Sequence, residues 1–200
     1  MNTCNECEHL TLSMELMADQ IKNIAQRLDR KSIKKTIEYI MGADSIFIMG
    51  AGRSGLVGKA FAMRLMHLGF TSYVVGESTT PAVNKNDVVI AISGSGETRS
   101  VSDLGRIAKD IGATLITVTS NKDSTLGHIS DATLEIHGRS KEDAGGYLER
   151  HMRGEYSHLT PLGTSFEISS LVFLDALVAE LIFITGASEA DLKSRHAKLE

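Results

Sequence analysis

The sequence predicts an α/β fold: a doubly wound, mostly parallel sheet of five strands flanked by helices, with a helical arm at its amino-terminal end. Two patterns indicate this class. Short, continuously apolar runs such as residues 46–49 and 88–92 are typical of strands that are buried on both faces. Segments with helical spacing separate these runs, as in the strand–helix–strand units of a parallel sheet. The length of 200 residues suits a single domain with a sizeable core.

The first segment, residues 1–42, predicts helices without strands. Residues 5 to about 28 and 32–41 place apolar side chains at helical spacing, and a glycine stands at the end of the segment as a stop. Both cysteines, Cys4 and Cys7, fall here. Two thiolates supply only half of the four ligands of a structural zinc site. The pair also does not lie between a strand and a helix, as the redox pair of a thioredoxin-like protein would. We therefore expect reduced, incidental cysteines and predict no metal site.

Residues 43–137 predict the α/β core, in which strands and helices alternate. Strands are expected at 45–49, 72–75, 87–92, 114–119 and 132–136. Helices are expected at about 53–68 and 98–109, with a short helical turn near 125–129. Such helices supply the crossover connections that parallel strands require.

The carboxyl-terminal part of the chain predicts a long loop and two helices, which complete the single domain. Residues 138–163 are polar and contain glycine, and a loop of that length is usually functional or binds a partner. The helical segment 164–200 has a long helix over about 164–185 and a final one over about 189–199. The longest apolar stretch, 168–186, contains two carboxylates, so we expect a buried or inter-subunit helix and no membrane span.

The charge balance argues against a sequence-independent grip on nucleic acid. The chain has 25 acidic and 21 basic residues, a net charge of -4 and no dense run of Lys and Arg. Binding to a phosphate backbone needs a surplus of basic side chains. The amino terminus lacks a basic stretch followed by an apolar one, so no secretory signal is predicted and we expect a cytoplasmic protein.

A loop of hydroxyls and glycines, SGSGET, follows the third predicted strand and precedes a helix. In parallel sheets, ligands bind beyond the carboxyl ends of the strands, where a helix amino terminus offers free N–H groups. The loop lacks the lysine of a Walker A loop. We favour a cradle for a phosphate monoester over the alternative, a plain turn with a serine N-cap. The members of this loop are Ser93, Gly94, Ser95, Gly96, Glu97 and Thr98.

A first glycine pattern, GAGRSG at residues 50–55, ends the first predicted strand. The spacing Gly-x-Gly-x-x-Gly, with Glu77 22 residues beyond the last glycine, suggests the dinucleotide site of an oxidoreductase. Two features count against that interpretation. Arg53 and Ser54 occupy the turn after Gly52, where they suit a small polar ligand. A dinucleotide would also leave the hydroxyl-rich loop unexplained.

The pair GAGRSG and ISGSGET resembles the sugar isomerase (SIS) domain, a fold that binds phosphosugars. The segments GRSK, YLERHMRGE, PLGTSFE and SRHAKLE are similar to one branch of that family, the 6-phospho-3-hexuloisomerases. This resemblance covers nearly the whole chain. Phosphoarabinose isomerases have a lysine where this sequence has Arg53, and they usually append CBS domains.

The resemblance implies an enzyme that interconverts D-arabino-hex-3-ulose 6-phosphate and D-fructose 6-phosphate through a cis-enediol(ate), by general acid/base catalysis and without a cofactor. Its partner would be a small sugar phosphate, and the protein would be a homo-oligomer, with a tetramer favoured. Ser93, Ser95 and Thr98 would hold the phosphate, and Arg53 and Ser54 the sugar. Two alternatives stay open: another phosphosugar aldose–ketose isomerase, and a non-catalytic phosphosugar-binding module.

Two residues are candidates for the proton transfers. Glu167 stands at the start of an apolar helix, where a carboxylate can serve as the base. The alternative is a capping box, in which Glu167 bonds back to Thr164. His196, in the segment that resembles the family's ending, is the second candidate, either in its own subunit's site or in a neighbour's. Its alternative role is that of a solvated histidine in a charged tail.

Overall fold

The computed structural model describes residues 8–137, 164–196 and 198. The predicted loop over 138–163 lies outside these residues, as do Cys4 and Cys7 and the segments GRSK and YLERHMRGE.

A parallel five-stranded sheet forms the centre of the described part of the chain, as the sequence predicts. Its strands are β1 (Ile46–Gly50), β2 (Ser72–Val74), β3 (Val88–Ile92), β4 (Thr114–Thr119) and β5 (Ala132–Glu135). In space they follow the order β2-β1-β3-β4-β5, and every neighbouring pair is parallel. The chain moves from β1 outward to β2 and then returns across β1 to begin β3. The sheet therefore reverses its winding direction between β1 and β3, which is the switch point of a doubly wound fold.

Seven helices are described around this sheet. They are α1 (Glu8–Gln26), α2 (Arg30–Gly42), α3 (Arg53–Leu68), α4 (Arg99–Ile111), α5 (Thr125–Ile129), α6 (Thr164–Thr185) and α7 (Glu189–Ser194). The helix–strand alternation between residues 43 and 137 confirms the predicted class.

The two faces of the sheet carry separate apolar cores, because successive side chains of a strand point to opposite faces. Ile46 and Ile48 of β1 belong to the core that contains buried residues of α2, α3 and α6. Phe47 and Met49 belong to the core under α4 and α5. The continuous apolar runs of the sequence thus reflect a sheet that is covered on both sides.

The long helix α6, for which the sequence predicts a buried or inter-subunit position, contributes eight buried residues to the described structure. They are Phe166, Ser169, Ser170, Phe173, Leu174, Leu177, Val178 and Leu181. By length and composition alone α6 could cross a membrane, and 39% of its apolar window is buried inside the protein. It packs against α3 and α1. This packing places the amino terminus of α6 beside the start of α3.

Several helix ends differ from the predictions by two residues or more, and the start of α2 and the end of α7 are two of them. α2 begins at Arg30, two residues earlier than expected, because the carboxylate of Asp29 accepts hydrogen bonds from the N–H groups of Lys31 and Ser32. α7 ends at Ser194, although the sequence predicts a helix to about residue 199. Beyond its end the chain turns toward the carboxyl-terminal end of α3, where it contacts His67.

Candidate active site

The two glycine-rich loops open at the same edge of the sheet. β1 and β3 are hydrogen-bonded neighbours, and Gly50 at the end of β1 is in register with Ile92 at the end of β3. Loop 1 (residues 50–55) and loop 2 (residues 93–98) follow these two strand ends. They therefore lie side by side at the switch point, the position where doubly wound sheets bind ligands.

Loop 1 turns tightly into α3. Gly52 is the N-cap residue, with a φ of 58° that favours glycine, and it has no side chain to cap the helix. A Cβ atom on Gly55 would lie 2.8 Å from the carbonyl oxygen of Gly50, so the two backbone segments are in close contact. Ser54 is buried, whereas the side chain of Arg53 is 61% exposed. Loop 1 thus offers an uncapped helix start and one accessible guanidinium.

Loop 2 places its hydroxyls close together. The Oγ of Ser93 is 3.3 Å from the Oγ1 of Thr98, which is the N-cap residue of α4 and makes no side-chain cap bond. The Oγ of Ser95 accepts a hydrogen bond of 3.2 Å from the N–H of Glu97, which leaves its O–H available as a donor. All three predicted phosphate-binding hydroxyls therefore belong to one short turn.

The carbonyls of loop 2 are bound to the segment that follows β4. The oxygen of Gly94 accepts hydrogen bonds from Ser120, through its N–H at 3.0 Å and its Oγ at 2.6 Å, and one from the Oγ1 of Thr119. The oxygen of Gly96 accepts from the N–H of Leu126. Because these carbonyls already have partners in the protein, they do not compete with an anion for the donors of the loop.

Gly96 is required by the same packing. Its φ is 65°, and a Cβ atom placed on it would lie 1.9 Å from the Oγ of Ser124. The hydroxyl of Ser124 also caps α5 by accepting from Gly127. A side chain at position 96 would displace either loop 2 or the start of α5.

Glu97 contacts α5. Its two carboxylate oxygens accept hydrogen bonds of 2.7 Å from the Oγ1 and the N–H of Thr125. The bond from the Thr125 hydroxyl, followed by the bond from its backbone, lowers the pKa of Glu97 below its ordinary value of 4.5. The structure thus gives Glu97 a bracing contact between loop 2 and α5, and its sugar contact stays a prediction.

Glu167 meets Arg53 across the site. The Nε of Arg53 is 3.1 Å from the Oε2 of Glu167, and the Glu167 side chain is only 14% exposed. Thr164 is the first described residue of α6, and the capping-box alternative for Glu167 stays open. The described contact of the Glu167 carboxylate is with the loop 1 arginine. Two of the predicted site residues are thus brought together although 114 positions separate them.

His196 lies elsewhere in the same chain. Its ring stacks on that of His67, with the ring centroids 4.0 Å apart, and Arg195 donates a hydrogen bond to the His67 carbonyl. His67 is in the last turn of α3, whereas Arg53 is its first residue. A rise of 1.5 Å per residue puts these positions about 20 Å apart. The structure does not bring His196 to Glu167 within one subunit.

The acid that suggested a dinucleotide site has another partner. Glu77 pairs with Lys59 of α3, with 2.6 Å between the Nζ and the Oε1, and both side chains are about half exposed. Among the described residues, no group of three or more His, Cys, Asp or Glu side chains converges as a metal site would require.

Several residues that shape the site are missing from the sequence-based prediction. Ser120 and Thr125 brace loop 2, and Phe166 packs on it. The sequence does contain a signal for Ser120, because this residue directly follows the predicted strand 114–119. In a parallel sheet that strand is expected to lie beside the strand that ends in loop 2. Phe166 carries no local signal, because an aromatic residue near the start of a helix is usual in a core.

Comparison with known proteins identifies the family. The model of the SIS domain matches residues 39–148 of this chain, which is more than half of its length. This chain belongs to the SIS domain family. The match includes both glycine-rich loops and the whole sheet, as the resemblance of the sequence motifs predicts.

Three relatives show how far the similarity extends within that family. A protein of Archaeoglobus fulgidus is 46% identical over 94% of this chain and 98% of its own length. The 3-hexulose-6-phosphate isomerase of Bacillus subtilis is 34% identical over 91% of this chain and 94% of its own length. A crystal structure from Methanococcus jannaschii, for which a 3-hexulose-6-phosphate isomerase function was inferred, is 36% identical, with a TM-score of 0.78 over 94% of this chain and 99% of that one.

We expect Thr125→Val to raise the pKa of Glu97 toward 4.5, because the variant removes the hydroxyl donor that lowers it most. A lowered pKa in the folded state contributes stability that is complete above the unfolded-state pKa and is lost as the pH falls through the folded-state pKa. Unfolding of Thr125→Val should therefore depend less on pH below about 4.5. Carboxylate-detected NMR titration measures the pKa. Thr125→Ser keeps the donor and is the control; equal pKa values in both variants would contradict the bracing contact.

Proposed function

We propose that this protein is a 3-hexulose-6-phosphate isomerase, which interconverts D-arabino-hex-3-ulose 6-phosphate and D-fructose 6-phosphate. The observation that carries the proposal is the pairing of Glu167 with Arg53 beside a hydroxyl-rich loop at the switch point of the sheet. A base, a cation and a phosphate cradle are what an enediolate isomerisation needs. The names of relatives that match nearly the whole chain support the same substrate class.

Loop 2 would anchor the phosphate. The hydroxyls of Ser93, Ser95 and Thr98 and the N–H groups at the start of α4 are donors, and charge-assisted hydrogen bonds to a phosphate dianion are strong. The first turn of α4 carries no acidic residue that would repel the dianion. Arg53, Ser54 and Gly52 of loop 1 would then face the sugar carbons.

The isomerisation moves one proton and one carbonyl group. The Glu167 carboxylate would take the proton from C2 of the open-chain 3-ketose, and the electrons of that C–H bond form the C2=C3 double bond of a cis-enediolate. The oxygen on C3 gains the negative charge, which the Arg53 guanidinium stabilises. The proton of the C2 hydroxyl then moves to the oxygen on C3, and Glu167 returns its proton to C3, which leaves the carbonyl on C2 and gives the 2-ketose. Substrate and product are isomers, so the reaction needs no external oxidant or reductant.

His196 would serve a neighbouring subunit. It lies about 20 Å from Arg53 along α3 of its own chain, too far to exchange a proton with a sugar held there. We infer a homo-oligomer, with a tetramer favoured by the family resemblance, in which His196 assists proton transfer between the two substrate oxygens of the next subunit. We expect the enzyme to work in the cytoplasm.

A non-catalytic phosphosugar-binding module is the second candidate. Such a module needs loop 2 but has no use for a partly buried carboxylate paired with the arginine of loop 1. The Glu167–Arg53 pair therefore favours catalysis over sensing. Another phosphosugar aldose–ketose isomerase would use the same groups, and turnover assays with different sugar phosphates distinguish it.

Glu167→Gln should lower kcat by a factor on the order of 10² or more, because the amide cannot accept the C2 proton. The measurement couples fructose 6-phosphate formation from the 3-hexulose 6-phosphate to a fructose 6-phosphate-consuming enzyme. Glu180→Gln, an exposed substitution on the same helix, is the matched control and should keep the wild-type kcat. Full activity in Glu167→Gln, with reduced stability, would support a purely structural role.

Ser95→Ala should raise KM by roughly 10-fold or more with little change in kcat, because it removes one hydrogen bond to a charged phosphate that is present in both substrate and transition state. Ser100→Ala, in the exposed first turn of α4, is the control for a serine loss nearby. An unchanged KM in Ser95→Ala would remove Ser95 from the phosphate site.

Mixing of two inactive variants tests the shared site. If His196 acts in a neighbour's site, oligomers that contain both Glu167→Gln and His196→Ala subunits hold some sites with an intact Glu167 and an intact His196. Activity should then return when the two proteins are dissociated and reassembled together. No recovery, with mixed oligomers demonstrated by mass spectrometry, would contradict a shared site.

A further inference from the structure

Phe166 joins the helix that carries the base to the loop that carries the phosphate. Its side chain is only 3% exposed and belongs to the main core. A Cβ atom placed on Gly94 would lie 3.0 Å from the Cδ1 and 3.3 Å from the Cγ of Phe166. The ring thus lies directly on the backbone of loop 2, and a methyl group at position 94 would require the ring to shift by a few tenths of an ångström.

The surface under this ring is held in place from its other side. The Gly94 carbonyl accepts hydrogen bonds from Ser120 and Thr119, and Ser93 donates its N–H to Val118 of β4. The backbone of loop 2 at this point is therefore part of the sheet edge. The sheet edge therefore determines the position of the Phe166 ring that packs on this backbone.

Consecutive residues of α6 contact the two loops. Phe166 packs on Gly94 of loop 2, and Glu167 pairs with Arg53 of loop 1. Neighbouring side chains of a helix point about 100° apart, so one turn of α6 can reach both loops at once. A shift of the ring relative to Gly94 would therefore move the first turn of α6, and Glu167 with it, relative to loop 2.

We propose that Phe166 is a positioning residue, which sets the distance between the general base and the bound phosphate through its contact with Gly94. This inference rests on the proposed function, because it concerns the geometry of the proposed proton transfer. A displacement of about 1 Å between a base and its proton lowers the rate on the order of 10²-fold. Phosphate binding itself needs only loop 2 and should be affected much less.

Phe166→Leu is the test, because leucine keeps an apolar core residue but leaves a gap over Gly94. We expect kcat to fall about 10-fold to 100-fold, with a small change in KM. Phe173→Leu, two turns further along α6 and buried in the same core, is the control for the general loss of a ring. A kcat in Phe166→Leu that equals that of Phe173→Leu would overturn the proposal.

A double-mutant comparison tests the contact itself. Gly94→Ala places a methyl group against the ring and should lower kcat, and adding Phe166→Leu should restore part of the loss, because the smaller side chain makes room for the methyl group. A double variant whose kcat is the product of the two single effects would show that the residues act independently and would overturn the proposal.

A measurement without turnover separates this inference from the proposed function. Wild-type activity on the hexulose phosphate tests the function alone. Titration with inorganic phosphate, followed by NMR, should shift the amide signals of loop 2 and of Glu167 in the wild type and in Phe173→Leu. In Phe166→Leu the loop 2 signals should still shift while that of Glu167 stays in place. A Glu167 signal that responds equally in both variants, or in neither, would overturn the proposal.

Discussion

The pairing of β1 with β3 is the constraint on which the candidate site depends. These strands are parallel neighbours although β2 lies between them in sequence, and Gly50 is opposite Ile92 at their carboxyl ends. Two loops that are about 40 residues apart in the chain therefore share one crevice. The contacts of loop 1, loop 2 and α6 described above are all made beside this pair of strand ends.

The third wall of the site comes from α6. Its core residues pack against α3 and α1, which puts its first turn above both loops. Burial of the apolar side chains on one side of α6 thus determines the position of the Glu167 carboxylate. The stability of the fold and the geometry of the site depend on the same packing, since the helix that carries Glu167 also supplies much of one core.

The parts of the site that depend on local sequence could be predicted, and those that depend on tertiary contacts could not. Glycines and hydroxyls after an apolar strand predict a loop such as 93–98, because strand, turn and helix signals are adjacent. The contact of Glu97 with Thr125 needs the pairing of β3 with β4, and the contact of Arg53 with Glu167 needs the packing of α6. Arg195 and His196 lie outside the helix that the sequence predicts there, and both contact His67.

The distribution of charge explains why Glu97 is tied to α5. The first turns of α3 and α4 contain no acidic residue, so the partial positive charge of both helix starts faces the site without competition. Glu97 is the one carboxylate within loop 2, and both of its oxygens are occupied by Thr125. These hydrogen bonds favour the ionised form of Glu97 and hold its charge against the first residue of α5. The same two hydrogen bonds thus fix the Glu97 carboxylate and brace loop 2 against α5.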